Sequence, residues 1–263
     1  MKTVVYQSYR TQVVAPWITK CMGTVKAWAE ASDYDYAFID DSLFDRVPAW
    51  YRDKVGGQMC PMADYARLVC ARELLAQGYD RTVWVDADVL VFAPDDLRVD
   101  ATDSFAYCHE VWLGLDPQGE PLFYHSVNNA VTVFVKGNAY LEFFIDAAGR
   151  TVRASDVVIK TSVGTHFLSR LWRVLPFELL TNVGLFSPLL MVDIASGAGR
   201  YLPAYGRMLT RPLACANMCA SLVGELRQGA VATQETYDTV IAKCLESRGE
   251  VVNRFVGAAS NPK

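Results

Sequence analysis

The order of apolar segments over the first hundred residues constrains the chain most. Lys2–Ser8 reads as a short strand, and Pro16 opens a helix in which Trp17, Cys21, Val25 and Trp28 recur at helical spacing. Tyr34–Ile39 reads as a second strand, followed by an irregular stretch with Pro48, Gly56 and Gly57. The pattern over Pro61–Gln77 predicts a strong helix closed by Gly78 in the C′ position. Arg81–Val85, rich in β-branched residues around Trp84, reads as a third strand, and Val89–Phe92 continues as an extended segment. Strand–helix–strand–helix–strand predicts an α/β fold whose parallel strands are joined by right-handed crossovers. In such sheets the ligand lies beyond the carboxyl ends of the strands. Gln7, Asp40 and Asp86 fall at those ends.

The second half changes character. Asp103–Val111 and Leu122–His125 read as strands flanking a turn at Asp116-Pro117-Gln118-Gly119, and Asn128–Val135 as a further strand. Helix is expected over Asn138–Ala148, around Gly164 within Ser155–Leu171, and in two closing segments, about Leu213–Leu226 and Thr233–Ser247. Thr181–Pro212 reads as loop-rich. With no internal repeat and no low-complexity linker, one domain over residues 1–256 is expected, then a flexible tail over residues 257–263.

Composition narrows the function. At 263 residues and 52% hydrophobic the chain can bury a sizeable core, and 21% charged residues argue against bulk disorder. A formal charge of -4 provides no global positive field, which argues against nucleic acid as the main partner. No apolar run approaches the ~20 residues a spanning helix needs, and Met1–Arg10 is too short and polar for a secretory segment. Seven cysteines form an odd set without framework spacing, which reads as free thiols in a reducing, cytoplasmic compartment. Cys215 and Cys219 lie four apart and could share a helix face, but without further ligands they make a poor zinc site.

The chemistry centres on Asp86-Ala87-Asp88. Two carboxylates at i and i+2 after a buried strand can point into one site, where their repulsion is costly unless a cation lies between them. Mn²⁺ or Mg²⁺ bound there would hold the two phosphates of a nucleotide donor and stabilise the departing diphosphate. Asp64 and Arg67 sit three apart on one helix face. Read plainly they form an ion pair, worth ~0–1 kcal/mol if exposed. Read functionally, Asp64 accepts from donor sugar hydroxyls while Arg67 orients it or meets phosphate oxygen.

The block Met62-Ala63-Asp64-Tyr65-Ala66-Arg67-Leu68, then Gly78-Tyr79, then Thr82-Val83-Trp84-Val85-Asp86-Ala87-Asp88-Val89 resembles nucleotide-sugar glycosyltransferases of the GT-A fold. The family 32 and family 8 type is the nearest likeness, with an Asp-x-x-Arg helix before the strand bearing Asp-x-Asp. Val4-Val5-Tyr6-Gln7-Ser8, Tyr36–Asp40, Asn128-Asn129-Ala130 and Gly164-Thr165-His166-Phe167-Leu168 follow in the same order, with Thr165 where the family has proline. The likeness is specific over residues 62–90 and loose elsewhere within residues 1–190.

The resemblance implies a mixed sheet flanked by helices, with residues 1–100 as the nucleotide-sugar half and residues 101–256 as the acceptor half. It implies a UDP-sugar in preference to a GDP-sugar, and transfer to a glycan, lipid-linked sugar, protein or small-molecule hydroxyl. Retention at the anomeric carbon is preferred; inversion would need a carboxylate base, for which Glu110 is the candidate.

Tyr6 is a candidate to stack on the base, Gln7 to bond its edge or the ribose, and Asp40 to bond base or ribose. Asp41 simply starts the next turn. Asn128 or Asn129 would lie beside the anomeric carbon or the acceptor hydroxyl, or else serve the backbone. His109-Glu110 could serve the acceptor, His166 the phosphate or acceptor, and His125 has no partner in sight. Family relatives often supply a third metal ligand, a histidine near the C-terminus, yet none follows His166 here. Asn217, Asp193 or water would take its place. Two rivals remain: a nucleotidyltransferase, disfavoured because Tyr9-Arg10-Thr11-Gln12 lacks glycine, and a binding module whose metal site has decayed.

Overall fold

Alternation along the first strands decides what each face of the sheet carries. In a computed structural model that describes residues 1–257, β1 (Thr3–Ser8) sends Val4 and Tyr6 to one face and Val5 and Gln7 to the other. The chain continues through α1 (Pro16–Ala31), β2 (Asp35–Ile39), a 3-10 turn (Asp41–Arg46), α2 (Ala49–Val55), α3 (Met59–Ala76), β3 (Arg81–Val85) and β4 (Val89–Val91). Next come β5 (Phe105–Leu115), β6 (Pro121–Val135), α4 (Tyr140–Ala154), α5 (Thr165–Val174), β7 (Leu179–Leu180) and β8 (Val183–Leu185). Helices α6 (Pro188–Ser196) and α7 (Leu202–Met208), strands β9 (Cys215–Asn217), β10 (Leu226–Arg227) and β11 (Ala230–Val231), and helices α8 (Gln234–Glu246) and α9 (Glu250–Asn253) complete it.

The main sheet has the order β2-β1-β3-β6-β5-β7. β1 pairs parallel with β2 and β3, while β6 runs antiparallel to both β3 and β5. This is a mixed α/β sheet flanked by helices, and strands from both halves of the chain share it. One face packs Val5, Val83 and Val85 with Trp17, Val25 and Trp28 of α1 and with residues of α6 and α8. The other packs Val4, Tyr6, Trp84 and Phe134 against α2, α3 and α4. A smaller sheet, β4-β9-β8, begins where the main one stops, so Asp86-Ala87-Asp88 is the hinge between two sheets.

The structure corrects several sequence expectations. The irregular stretch before Pro61 holds the 3-10 turn and α2, whose Gly56 closes the helix in the left-handed conformation at φ 61°. The strands expected at Leu122–His125 and Asn128–Val135 are one strand, β6, because β5 pairs along nearly its whole length. The helix near Asn138 begins at Tyr140 and runs on to Ala154, and α5 starts only at Thr165. The loop-rich Thr181–Pro212 contains β8 and helices α6 and α7.

Leu213–Leu226 is not a helix. Its apolar, helix-forming composition is overridden by pairing of β9 between β4 and β8. Cys215 is therefore in a strand and Cys219 stands at φ 53°, so the two share no helix face. Residues 258–263 of the expected tail lie outside the described residues. Among the described residues no helix is long and apolar enough to cross a membrane.

Candidate active site

Strand β3 ends in a knot of charge. Trp84 and Asp86, two apart, point to the same side, and the indole Nε1 donates to Asp86 Oδ1 at 2.6 Å. Arg67, projecting from the buried side of α3, lies with its guanidinium 4.7 Å from the Trp84 ring centre. It donates to Asp86 Oδ1 at 3.1 Å, Asp64 Oδ1 at 2.9 Å and the Asn129 carbonyl at 2.7 Å. Asn129 Nδ2 in turn donates to Asp64 Oδ1 at 2.8 Å. Asp64 and Arg67 are 7% and 6% exposed, so their pairing is a buried ion network and not the surface pair that i,i+3 spacing alone would suggest. Burial lifts the Asp64 carboxyl above its ordinary range, opposed by Arg67. For Arg67 burial acts downward, but the charges of Asp86 and Asp64 outweigh it and hold the guanidinium charged.

Asp88 lies two residues further along. Its Oδ2 accepts from the Ala220 N–H at 2.7 Å. Burial, then the neighbouring Asp86 charge, pushes its carboxyl up to about 6. Asp86 is raised too, by burial, with Arg67 and Trp84 opposing. Burial dominates both shifts, and at Asp88 the like charge of Asp86 adds to it.

Two oxygens, Asp86 Oδ2 and Asp88 Oδ1, face only the Asn217 amide nitrogen, at 3.5 and 3.4 Å. In this arrangement Asn217 presents its amide nitrogen to the carboxylates, because its Oδ1 accepts from the Cys219 N–H at 2.7 Å. Asp193 is engaged elsewhere: its oxygens accept from the Arg200, Tyr201 and Leu202 N–H groups at the start of α7. Among the described residues no group of three or more His, Cys, Asp and Glu side chains could hold a metal ion. These two weakly held carboxylate oxygens still suit a hard divalent cation that takes its other ligands from phosphate and water.

The knot floors a cleft of about 740 Å³. Ser8, Tyr9, Arg10, Asp41, Leu43 and Phe44 line one end; Glu110, Trp112, Asn128 and Arg227 line it from the β5–β6 side; and Cys60, Lys160, Thr165 and His166 also border it. Its charges balance, with Arg10, Arg67, Lys160 and Arg227 against Asp41, Asp86, Asp88 and Glu110. A bound diphosphate would tip that balance negative.

The sequence-predicted residues divide. Asp86, Ala87, Asp88, Arg67, Asn128, Glu110, His166 and Asn217 border the cleft. Tyr6 does not: it is 1% exposed, packs edge-on to Trp84 and donates its hydroxyl to the Arg67 carbonyl, so it cannot stack on a base. Gln7 is fully buried and does not border the cleft; its Nε2 donates to the Asp86 carbonyl and its Oε1 accepts from Tyr36. Asp40 caps the 3-10 turn through Ser42 N–H, and its neighbour Asp41 borders the cleft instead. Asp64 and Asn129 sit behind Arg67 against a second, water-sized cavity, so they position the guanidinium.

Glu110 accepts from Ser126 Oγ at 2.9 Å and Asn128 Nδ2 at 2.8 Å, and burial raises its carboxyl. His125 does have a partner: its Nδ1 is 3.1 Å from His109 Nε2, with the rings stacked. Sequence reasoning missed Tyr9, Arg10, Trp112, Lys160 and Arg227. Arg10 follows directly on the β1 end and could have been found there; the others arrive from distant loops and strands.

No family model matches the chain, and no curated protein matches it. Among solved structures it is similar to a glycosyltransferase involved in the glycosylation of the major capsid of PBCV-1, at 10% identity and a TM-score of 0.48, over 84% of this chain and 94% of that one. It is similar to mouse xyloside xylosyltransferase 1 in its apo form, at 10% identity and a TM-score of 0.43, over 84% and 99%. A Drosophila galactosyltransferase 7 variant, solved with manganese, UDP-Gal and xylobiose, aligns at 10% identity and a TM-score of 0.32, over 55% and 52%.

Proposed function

We propose that this chain is a GT-A-type glycosyltransferase that moves a sugar from a nucleotide diphosphate donor, UDP-linked in preference to GDP-linked, to a hydroxyl acceptor. The observation that carries the reading is the knot of Asp64, Arg67, Asp86 and Asp88 under the cleft at the carboxyl ends of β1 and β3. The nucleoside lies towards Tyr9, Arg10, Asp41 and Phe44, where aromatic, cationic and acidic groups border the cleft. Arg10, Lys160 and Arg227 supply positive charge for a diphosphate, and Arg67 holds Asp86 in register.

Asp86 and Asp88 would hold Mn²⁺ or Mg²⁺. Such an ion, when bound, neutralises charge on the diphosphate and stabilises it as a leaving group. This chain's own contribution is to fix the carboxylates at the floor of the cleft. Charge held in place before the reaction begins stabilises an anionic leaving group without reorganisation, and this effect usually dominates the rate enhancement. The reaction is read as retaining. Glu110, buried and held by Ser126 and Asn128, is the base that an inverting enzyme would use.

One observation favours a second reading. The Asn217 NH₂ between the carboxylates satisfies them in part without a metal, as expected of a nucleotide-sugar-binding module that has lost catalysis. A screen of UDP- and GDP-sugars for nucleotide release, with Mn²⁺ and with EDTA, separates the two. Metal-dependent release from one donor supports the enzyme; tight nucleotide binding with no release from any donor supports the module; and neither binding nor release defeats both.

A further inference from the structure

The β5–β6 pair extends beyond the sheet's core, and its cleft-facing side has an ordered polarity. In register, Cys108 lies opposite Asn128, Glu110 opposite Ser126, Trp112 opposite Tyr124 and Gly114 opposite Leu122. These pairs share one face of the two-stranded ribbon, since residues two apart point the same way. Asn128, Glu110 and Trp112 border the cleft. Tyr124 and Leu122 are 51% and 38% exposed.

The distances along β6 give the layout. The Asp86 N–H donates to the Ala130 carbonyl, which fixes the acidic end of the cleft at Ala130. Asn128 and Ser126, the partners of Glu110, follow at steps of about 7 Å, and Tyr124 opposite Trp112 lies one step further. From Asp86 the face therefore reads carboxylate, amide, carboxylate, aromatic pair over about 20 Å. A wall closes its outer end. Gln228, in the turn between β10 and β11, lies so close over Gly114 that a Cβ there would meet its amide at 3.0 and 3.2 Å and the Tyr124 ring at 3.3 Å. Arg227 beside it borders the cleft.

We propose that this ribbon is the acceptor subsite and that the acceptor is itself a glycoside, its pyranose ring stacked on Trp112 with its hydroxyls directed to Glu110 and to the Arg227–Gln228 turn. The inference rests on the donor reading above. A pyranose has one C–H-rich face and a rim of hydroxyls, and it matches a half-buried indole that borders the cleft, edged by a carboxylate and two amides. The aromatic ring covers the apolar face, and the planar polar side chains accept and donate around the rim.

Saturation-transfer NMR on the full chain with UDP and Mn²⁺ present, titrated with lactose, maltose, cellobiose and xylobiose, tests this. UDP protons serve as the internal reference. The expected result is saturation of the ring C–H protons of at least one disaccharide, lost in Trp112→Ala through a roughly tenfold weaker affinity, and kept in Trp112→Phe. UDP saturation should be equal in all three proteins. If UDP binds and no disaccharide does, or if disaccharide binding survives in Trp112→Ala, the glycoside subsite is refuted while the donor site stands. If a disaccharide binds through Trp112 but UDP does not, the subsite stands as a sugar site and the donor reading falls. A loss of UDP binding in Trp112→Ala would also overturn the inference, because the indole would then belong to the donor.

Discussion

Replacing Asp88 by asparagine should make the metal-free protein more stable and at the same time inactive. Burial and the Asp86 charge hold the Asp88 carboxyl at about 6 in the folded chain, against an ordinary value of 3.8. At ~1.4 kcal/mol per pH unit, ionising it at neutral pH costs the fold about 3 kcal/mol. Asp88 is itself only partly buried and borders the cleft. Screening therefore reduces the expected cost to about 1–2 kcal/mol. The sign follows from proton binding. The folded pKa lies above the unfolded one, so the folded state binds the extra proton between about pH 4 and 6 and stability falls as pH rises through that window. Asparagine keeps an oxygen for the Ala220 N–H and removes the charge.

For a chain of this size each kcal/mol moves Tm by about 2–4 °C. Asp88→Asn should therefore melt about 2–8 °C higher than the parent at pH 8 in EDTA, with the gain gone by about pH 4. Manganese should raise the parent's Tm and leave the variant's unchanged. Calorimetry over this pH range checks it. A variant that melts lower at pH 8, or by the same margin at both pH values, would refute the account of strained carboxylates.

Arg67→Ala should destabilise the chain by about 3–5 kcal/mol in urea unfolding, because it leaves Asp64 and Asp86 without their buried counter-charge; a loss below about 1 kcal/mol would mean the pair behaves as an exposed one. Gly164→Ala should cost about 1–3 kcal/mol by overpacking. Its Cβ would stand 2.9 Å from Asp64 Oδ2 and 3.3 Å from Asn129 Nδ2, and unchanged stability in urea would show that those side chains are not fixed. Cys60 borders the cleft and is the one exposed cysteine among the seven. It should react first with a thiol reagent, faster as pH rises because partial desolvation and the Asp64 charge lift its pKa, and more slowly with nucleotide bound; equal rates with and without nucleotide would remove it from the site.

Local pattern carried the first half of the fold. Val83, Trp84 and Val85 ending in Asp86 read as a buried strand because they are one, and α3 keeps its period and its Gly78 stop. What failed depended on partners far along the chain. Leu213–Leu226 has helix-forming composition, and only pairing with Val89–Val91 and Val183–Leu185 makes its centre a strand. Tyr6 and Gln7 were found at the correct strand end, but nothing local says that both faces of β1 are covered; Ser8, Tyr9 and Arg10, just past the covered part, border the cleft instead. Asp64 and Arg67 stood out by spacing, whereas their burial, which changes a weak pair into a fixed network, is a tertiary fact. Lys160, Trp112 and Arg227 carry no local signal at all.

Whether Asp86 and Asp88 serve a nucleotide diphosphate through a divalent ion is decided by calorimetric titration with UDP and with GDP, each with Mn²⁺ and again with EDTA. Heat of binding is expected for one nucleotide, UDP, with Mn²⁺ present, and most of that affinity should be lost in EDTA and in Asp88→Asn. Binding of neither nucleotide, or binding indifferent to both the metal and Asp88, would contradict that role for the two carboxylates.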